Sequence, residues 1–148
     1  MPRDAVVEVL TTGLSRSLSA LAGCERTGVD AVHIPTWERH LQLGGALLLD
    51  RTYQPQEIAF CDGRVERLAA RLAAKEAVLK VLGTGIRGVG LRDVEVVSTP
   101  EGRPTIGLHG PAGQALAAVR LDHIEVSLCH EHEYALAVAL GVGRAGQS

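Results

Sequence analysis

Two acidic residues and a lysine interrupt segments of the chain that are otherwise apolar. Asp30 lies in a strand-like run after Gly28 and Val29, and Glu76 and Lys80 lie in a long alanine- and leucine-rich segment. Side chains four residues apart on a helix project together, so Glu76 and Lys80 would be neighbours. Magnesium usually takes one or two protein carboxylates and completes its coordination with water and phosphate oxygens. The spacing therefore supports a Mg²⁺–phosphate site, with Asp30 and Glu76 at the metal and Lys80 at a phosphate.

Each of these residues also has a simpler interpretation. An aspartate at the start of a strand or turn often hydrogen-bonds the backbone. Glu76 and Lys80 could form an exposed ion pair, which contributes only about 0.3–0.5 kcal/mol. Arg71 and Lys75 complete the charges of the same segment, and all four are compatible with an alternating-charge face of a helix. From the residues alone, both interpretations remain open.

The histidines near the end of the chain suggest a different metal. His130 and His132 would share one face of a strand, and histidine is a common zinc ligand. A third and a fourth ligand are lacking at signature spacing, so a zinc-dependent hydrolase is a minor alternative. Gly83-Thr84-Gly85 is weak as a phosphate loop, because no Gly-Lys-Ser/Thr follows it.

The segment that carries Glu76 and Lys80 is predicted to be a helix over residues 65–82. Alanine and leucine favour a helix, and apolar residues surround nearly the whole wheel, which is typical of a buried helix. Gly83 would end it. The other patterns predict helices 5–22, 36–49, 56–61 and 112–119 and strands 25–34, 94–98, 104–109, 123–129 and 134–140. This order predicts an α+β fold, with a mostly antiparallel sheet packed against the long buried helix.

Length, charge and cysteine content restrict the class of protein. With 148 residues, the chain suits one domain over 25–141, preceded by an N-terminal helical extension over 1–24 and followed by a flexible tail over 142–148. A net charge of −2 argues against nucleic acid or an anionic membrane as a partner. Three cysteines stand far apart, which favours a reducing, cytoplasmic compartment. Because no apolar run has membrane-spanning length, we expect a soluble protein.

Several pieces of the chain, taken together, resemble a known family. It is the holo-[acyl-carrier-protein] synthase type of 4′-phosphopantetheinyl transferase, and the pieces occur in the family's order over roughly residues 26–140. The pieces are Gly28-Val29-Asp30-Ala31-Val32, Pro55-Gln56-Glu57, Leu68-Ala69-Ala70-Arg71-Leu72-Ala73-Ala74-Lys75-Glu76-Ala77-Val78-Leu79-Lys80, Gly83-Thr84-Gly85-Ile86, Asp93-Val94-Glu95-Val96, Gly102-Arg103-Pro104, and Val126-Ser127-Leu128-Cys129-His130 followed by Tyr134-Ala135.

The resemblance implies a reaction and a partner. Members transfer the phosphopantetheine arm of coenzyme A to a serine of an apo acyl carrier protein and release adenosine 3′,5′-bisphosphate. Small members assemble as trimers with coenzyme A between subunits. The sequence does not decide whether the carrier serves fatty acid or polyketide synthesis.

The resemblance also assigns roles to particular residues. Asp30 and Glu76 are expected to hold the magnesium, and Lys80 is expected to contact the pyrophosphate. Glu76 would take the serine proton, directly or through a water, so Glu76 and Lys80 are the catalytic candidates. Lys75 is expected to be structural or to lie at the phosphate rim. The residues expected to bind coenzyme A are Arg71, Lys80, Gly83, Gly85, Arg103, Pro104 and His130.

Two of the departures from the family pattern bear on function. Many members carry a basic residue six positions after the aspartate, where it helps to hold the acidic carrier, and this chain has Thr36. Arg39, His40 and Arg51 lie nearby in sequence and could substitute for it. The first 24 residues also exceed the compact family pattern. The alternative is therefore a non-catalytic module that binds coenzyme A or a carrier, although retention of the full acidic and lysine set favours an enzyme.

Overall fold

The computed structural model describes residues 7–8, 11–12, 24–83 and 88–143. Residues 7–8 and 11–12 are helical, and the rest of the predicted helix 5–22 lies outside the described residues. The elements that follow are β1 (Cys24–His33), α1 (Ile34–Thr52), α2 (Pro55–Cys61), α3 (Val65–Leu82), a 3₁₀ turn (Leu91–Asp93), β2 (Val94–Ser98), β3 (Pro104–Leu108), α4 (Pro111–Ala118), β4 (Leu121–Glu131) and β5 (Tyr134–Gly143).

Two antiparallel sheets form the β part of the fold. The larger sheet has the strand order β1-β5-β4, and β2 pairs with β3 in a separate hairpin. Asp30 on β1 lies opposite Ala137 on β5, which in turn lies opposite Leu128 on β4. The predicted α+β class and the mostly antiparallel pairing are confirmed.

Helix α3 is the centre of the core, as its apolar pattern predicts. Most of its side chains are buried, including five alanines between Ala69 and Ala77. On the sheet, Ala135, Ala137 and Ala139 are also fully or nearly fully buried and belong to the same core clusters. Small residues on both surfaces let the helix approach the sheet closely, because no long side chain separates the backbones. This close approach sets the distance between residues of β1 and residues of α3.

The opposite face of the larger sheet is also apolar. Side chains alternate between the two faces of a strand, so Leu136, Val138 and Leu140 point away from α3. All three are partly exposed. On β1, Ala31 shares this face and lines a cavity of about 510 Å³ with residues that include Val7 and His33. The sheet therefore presents a second apolar surface, here called the outer face and defined by Ala31, Leu136, Val138 and Leu140.

Some predicted element bounds differ from the structure. Val142 and Gly143, expected to belong to a loose tail, pair within the sheet. Glycine is tolerated in β5 because neighbouring side chains fill its space: a Cβ on Gly141 would crowd Leu121 and Val81. Residues 144–148 lie outside the described residues. Helix α1 extends past its predicted end to Thr52, with a non-helical break at Gly45 (φ 55°, ψ −148°).

None of the described helices is long and apolar enough to cross a membrane.

Candidate active site

Asp30 and Lys80 meet where β1 lies against α3. The Lys80 ammonium donates to Asp30 Oδ1 at 3.0 Å and to the backbone oxygen of Val29 at 2.7 Å. The side chain of Lys80 is 51% exposed and that of Asp30 is 20% exposed. The pair therefore lies at a partly exposed junction of β1 and α3, here called the cleft, and is open to solvent on the lysine side.

Glu76 is the second carboxylate of the site and lies on the same side of α3 as Lys80. Burial, together with the nearby charge of Asp30, raises the pKa of Glu76, and the positive charge of Lys80 opposes this shift. Burial also raises the pKa of Asp30, against the hydrogen bond and the charge that Lys80 supplies. The two carboxylates are thus close enough for the charge of Asp30 to act on Glu76, which a shared site would require.

A glycine brings these side chains together. A Cβ on Gly28 would collide with the carbonyl oxygen of Ala77 and would crowd Cβ of Lys80. Only a residue without a side chain allows β1 to pass this close to the helix backbone. Asp30 follows two residues later on the same face of the strand, so it points toward the turn of α3 that carries Glu76 and Lys80.

The donor set of this site fits a magnesium ion. Two carboxylates under mutual repulsion gain from a shared divalent cation, and Mg²⁺ needs only one or two protein carboxylates. The remaining positions would be open to water and to phosphate oxygens. Asp30 and Glu76 are the residues that would hold the ion.

Arg71 lies on another side of α3, away from this cleft. It is 4% exposed, and its guanidinium carbon lies 4.1 Å from the centre of the Phe60 ring. One terminal nitrogen donates to Ser98 Oγ at 3.1 Å. Its buried Nε has no hydrogen-bond partner among the described residues. A buried guanidinium with a spare donor suits an anion brought by a ligand.

Lys75 is structural, one of the two roles expected for it. Both Lys75 and Glu57 are fully buried, and Lys75 Nζ donates to Glu57 Oε2 at 2.7 Å. The ammonium also donates to the backbone oxygens of Leu91 and Val94. Burial lowers the pKa of Lys75 and the charge of Glu57 opposes this shift. All three donors of the ammonium have acceptors inside the protein, so none is directed to a ligand.

The remaining predicted ligands lie apart from Asp30. Arg103 pairs with Glu125 of β4 at 2.8 Å, and Pro104 begins β3 beside it. His130 is exposed near the end of β4. Gly83 ends α3 in a left-handed conformation (φ 73°), as predicted for a C-cap, while Gly85 lies outside the described residues.

The two histidines of the zinc alternative do not lie on one strand face. His132 lies in the turn after β4 with φ 52°, so it does not share a strand face with His130. Among the described residues no group of three or more His, Cys, Asp and Glu side chains is placed to hold a metal ion. This minor alternative fails because the alternation of β4 ends at Glu131.

Sequence reasoning missed an exposed apolar pair on α1. Leu43 is 88% exposed and Leu47 is 60% exposed, on either side of the break at Gly45. Arg39 precedes Leu43 by one helical turn and Arg51 follows Leu47 by one turn; both arginines are exposed. The signal available in the sequence was the Gly44-Gly45 pair, which interrupts the apolar helical spacing.

The fold and the site together define a small α+β protein whose cleft pairs two carboxylates with a lysine. Residues 26–139 match the family model of the 4′-phosphopantetheinyl transferase superfamily. The chain is 46% identical over 124 residues to a holo-[acyl-carrier-protein] synthase of Gloeobacter violaceus, covering 80% of this chain and 92% of that protein. The corresponding synthase of Koribacter versatilis is 43% identical over 115 residues, covering 75% and 92%.

A solved structure agrees with these sequence matches. The Helicobacter pylori holo-[acyl-carrier-protein] synthase in complex with coenzyme A has a TM-score of 0.71 and 26% identity, covering 78% of this chain and 98% of that chain. The chain therefore belongs to the 4′-phosphopantetheinyl transferase superfamily.

Proposed function

We propose that this protein is a Mg²⁺-dependent holo-[acyl-carrier-protein] synthase. It would transfer 4′-phosphopantetheine from coenzyme A to a serine of an apo acyl carrier protein and release adenosine 3′,5′-bisphosphate. The observation that carries the proposal is the meeting of Asp30, Glu76 and Lys80 at one cleft in a chain of this superfamily. The names of the relatives, and the coenzyme A in the Helicobacter pylori complex, support the substrate.

The residues of the cleft suit phosphoryl transfer. The serine oxygen would form a bond to the phosphorus that carries the pantetheine, and the bond from that phosphorus to the bridging oxygen would break. Lys80 would donate to the diphosphate oxygens and offset their growing charge. Magnesium, held by Asp30 and Glu76, would neutralise the diphosphate and favour departure of the bisphosphate.

Glu76 is the proposed acceptor of the serine proton. Burial raises its pKa, which makes its carboxylate a better base than that of an exposed glutamate. The proton leaves the hydroxyl as its oxygen bonds to phosphorus and comes to rest on Glu76 or on a water beside it.

A homotrimer is proposed for the complete site. Within one chain, Arg103 pairs with Glu125 near β4, whereas Asp30 belongs to β1 at the other edge of the larger sheet. A neighbouring copy would bring its nucleotide-binding half beside the metal-binding half of the first. The outer face of the sheet is apolar and partly exposed, which suits burial between copies.

The described cysteines support a reducing compartment. Cys24, Cys61 and Cys129 are free thiols, and Cys61 is buried beside Arg71 and Phe60. We propose the cytoplasm as the site of action, where thiols remain reduced.

Helix α1 is the proposed surface for the carrier protein. Exposed Leu43 and Leu47 offer apolar contact, and Arg39 and Arg51 flank them with positive charge. This pattern complements an acidic amphipathic helix and would compensate for Thr36. Reversing both arginines with R39E and R51E should raise KM for the carrier at least about tenfold and leave coenzyme A affinity within about twofold.

The matched control is R120E, which reverses an exposed arginine in the turn before β4. R120E should change neither KM for the carrier nor the affinity for coenzyme A. Steady-state kinetics and coenzyme A titration measure the two effects, and an equal loss of both in the double variant rejects this docking surface.

Intact-mass analysis tests the function as a whole. A panel of apo carrier proteins is incubated with coenzyme A, Mg²⁺ and the protein, and each carrier should gain the mass of phosphopantetheine. E76Q should keep the fold, checked by circular dichroism, and lower the rate at least about a thousandfold because both a metal ligand and the base are lost. Coenzyme A binding without any transfer would identify the non-catalytic module, and near-normal turnover by E76Q would remove Glu76 from the site.

A further inference from the structure

We propose that the N-terminal segment of this chain occupies one end of the outer face and withholds that face from a second copy. The part of the segment that carries the inference is here called the cover and is defined by Val7, Glu8 and Thr11. The inference rests on the proposed function, because it takes the outer face to be the contact between copies. The cover must leave this face before the complete site can assemble.

The cover lies over the end of the outer face where β1 leads into α1. Its residues are helical, and Thr11 Oγ1 donates to the backbone oxygen of Val7 at 2.9 Å. All three residues of the cover line the cavity of about 510 Å³, together with Ala31 of β1 and Tyr134 of β5. The cover and the sheet therefore form opposite walls of one cavity.

The burial of Val29 shows that the outer face is covered within a single chain. Gly28 and Asp30 face α3, so Val29 points to the outer face. In the described sheet β1 is an edge strand, and the cross-strand neighbour Val138 is only half-buried. Yet Val29 is 2% exposed and belongs to neither core cluster of the described residues. Flanking side chains on one side do not bury an edge residue this far, so part of the chain lies over it.

The contact between the cover and the sheet is loose enough to be reversible. The two surfaces enclose a cavity, so they lack the dense packing that holds the core together. Val7 and Thr11 are half-buried and Glu8 is exposed. A second copy would bury more of the apolar outer face than the cover does. Because the two occupants exclude each other, each lowers the apparent affinity of the other, and the cover should raise the concentration at which copies associate.

Assembly as a function of concentration provides the first test. Size-exclusion chromatography with light scattering is performed on the full chain as wild type, V7E and T12E. V7E puts a charge on the half-buried wall opposite Ala31 and should weaken the cover. The concentration of half-assembly should then fall at least about tenfold, and carrier modification at low enzyme concentration should rise in parallel. T12E adds the same charge to an exposed residue of the same helical segment and should behave as the wild type.

A second test locks the cover in place. T11C and T36C put two thiols on the walls of the cavity, and C24S and C129S remove the two native thiols that are not buried. A bismaleimide that spans the cavity should join the new thiols within one chain, as read by peptide mass mapping. The joined chain should stay monomeric at concentrations where the unjoined chain assembles. Each single thiol variant, capped with N-ethylmaleimide, should assemble normally and so controls for the bulk of the reagent.

Three results would overturn the inference. They are unchanged or weaker assembly by V7E, normal assembly by the joined chain, and links that form between chains instead of within one. The locking test decides the matter if V7E fails to fold. Any of these results, alongside normal carrier modification by the wild type, rejects the cover and leaves the proposed function standing. Assembly that responds to V7E and to locking as predicted, without carrier modification by the assembled wild type, rejects the enzyme assignment instead.

Discussion

At the scale of single residues, the environment of the cleft disfavours the ionised form of its two carboxyl groups. Burial raises the pKa of both Asp30 and Glu76, and each prefers a proton more in the folded protein than in the unfolded chain. Only Lys80 opposes these shifts for both groups, from a position that solvent screens. These buried carboxylates therefore cost the protein some stability, which the proposed bound cation would offset.

The pH dependence of stability follows from the direction of these shifts. A carboxyl group with a raised folded pKa stabilises the fold at low pH, and this contribution is lost as pH rises from the unfolded pKa through the folded one. E76Q should therefore unfold at nearly the wild-type temperature at about pH 4 and at a higher temperature than the wild type near pH 7. Thermal melts without metal measure the difference. A gap that does not widen with pH contradicts the shift at Glu76.

At the scale of elements, one buried ion pair joins four parts of the fold. Glu57 of α2 accepts from Lys75 of α3, from the amide of Gln54 at 2.8 Å and from the amide of Val96 of β2 at 3.0 Å. Lys75 donates to Leu91 O in the 3₁₀ turn. The apolar contacts of α3 are not directional, whereas this polar anchor is, so it helps to fix the rotation of the helix that places Glu76 beside β1.

Breaking the Glu57–Lys75 pair should destabilise the fold. K75M leaves a buried carboxylate without its cation and should lower the free energy of unfolding by about 3–5 kcal/mol. Adding E57Q removes the orphaned charge and should restore at least about half of the loss. Urea unfolding measures both.

Lys80, the other lysine of the chain, is the natural control for Lys75. K80M removes a half-exposed pair and should change stability by no more than about 1 kcal/mol. Equal losses for K75M and K80M contradict the assignment of Lys75 as an anchor.

Much of the fold was predictable from local pattern. The bounds 65–82 of α3 follow from its apolar wheel and the glycine that ends it, and β2 was predicted with the observed bounds. The Glu57–Lys75 pair was not predicted, because its members lie 18 residues apart and no local periodicity links them. For the site, helical spacing predicted that Glu76 and Lys80 are neighbours. The burial of Arg71 against Phe60 depends on tertiary packing that spacing does not encode.

At the scale of the whole molecule, the predicted ligands form two groups. Asp30, Glu76 and Lys80 lie where β1 meets α3, while Arg103 lies with Glu125 beside β4. The proposed trimer, in which each site would join one group to the other group of a neighbour, would explain why a single chain keeps them apart.

Complementation between two inactive variants tests this arrangement. E76Q should disable the proposed metal-binding half, and R103E should disable the proposed nucleotide-binding half. Co-expressed in equal amounts, the two should assemble sites with both halves intact, and activity should return to about a quarter of the wild-type value by random mixing. Size-exclusion chromatography with light scattering checks the assembly.

A matched control uses the outer face. V138E in both chains places a charge on the surface proposed to lie between copies and should give monomers without restored activity. Full complementation by V138E chains contradicts the outer face as the contact. If the E76Q and R103E chains without V138E form trimers but do not complement each other, each site lies within one subunit.

The glycine at position 28 has a consequence for any attempt to redesign this protein. The backbones of β1 and α3 are in direct contact at Gly28. The gap between the Asp30 and Glu76 carboxylates is therefore set by the backbone. Exchanging neighbouring side chains leaves that gap unchanged. An engineer who wants the cleft to accept a larger ion such as calcium must rebuild the crossing of strand and helix.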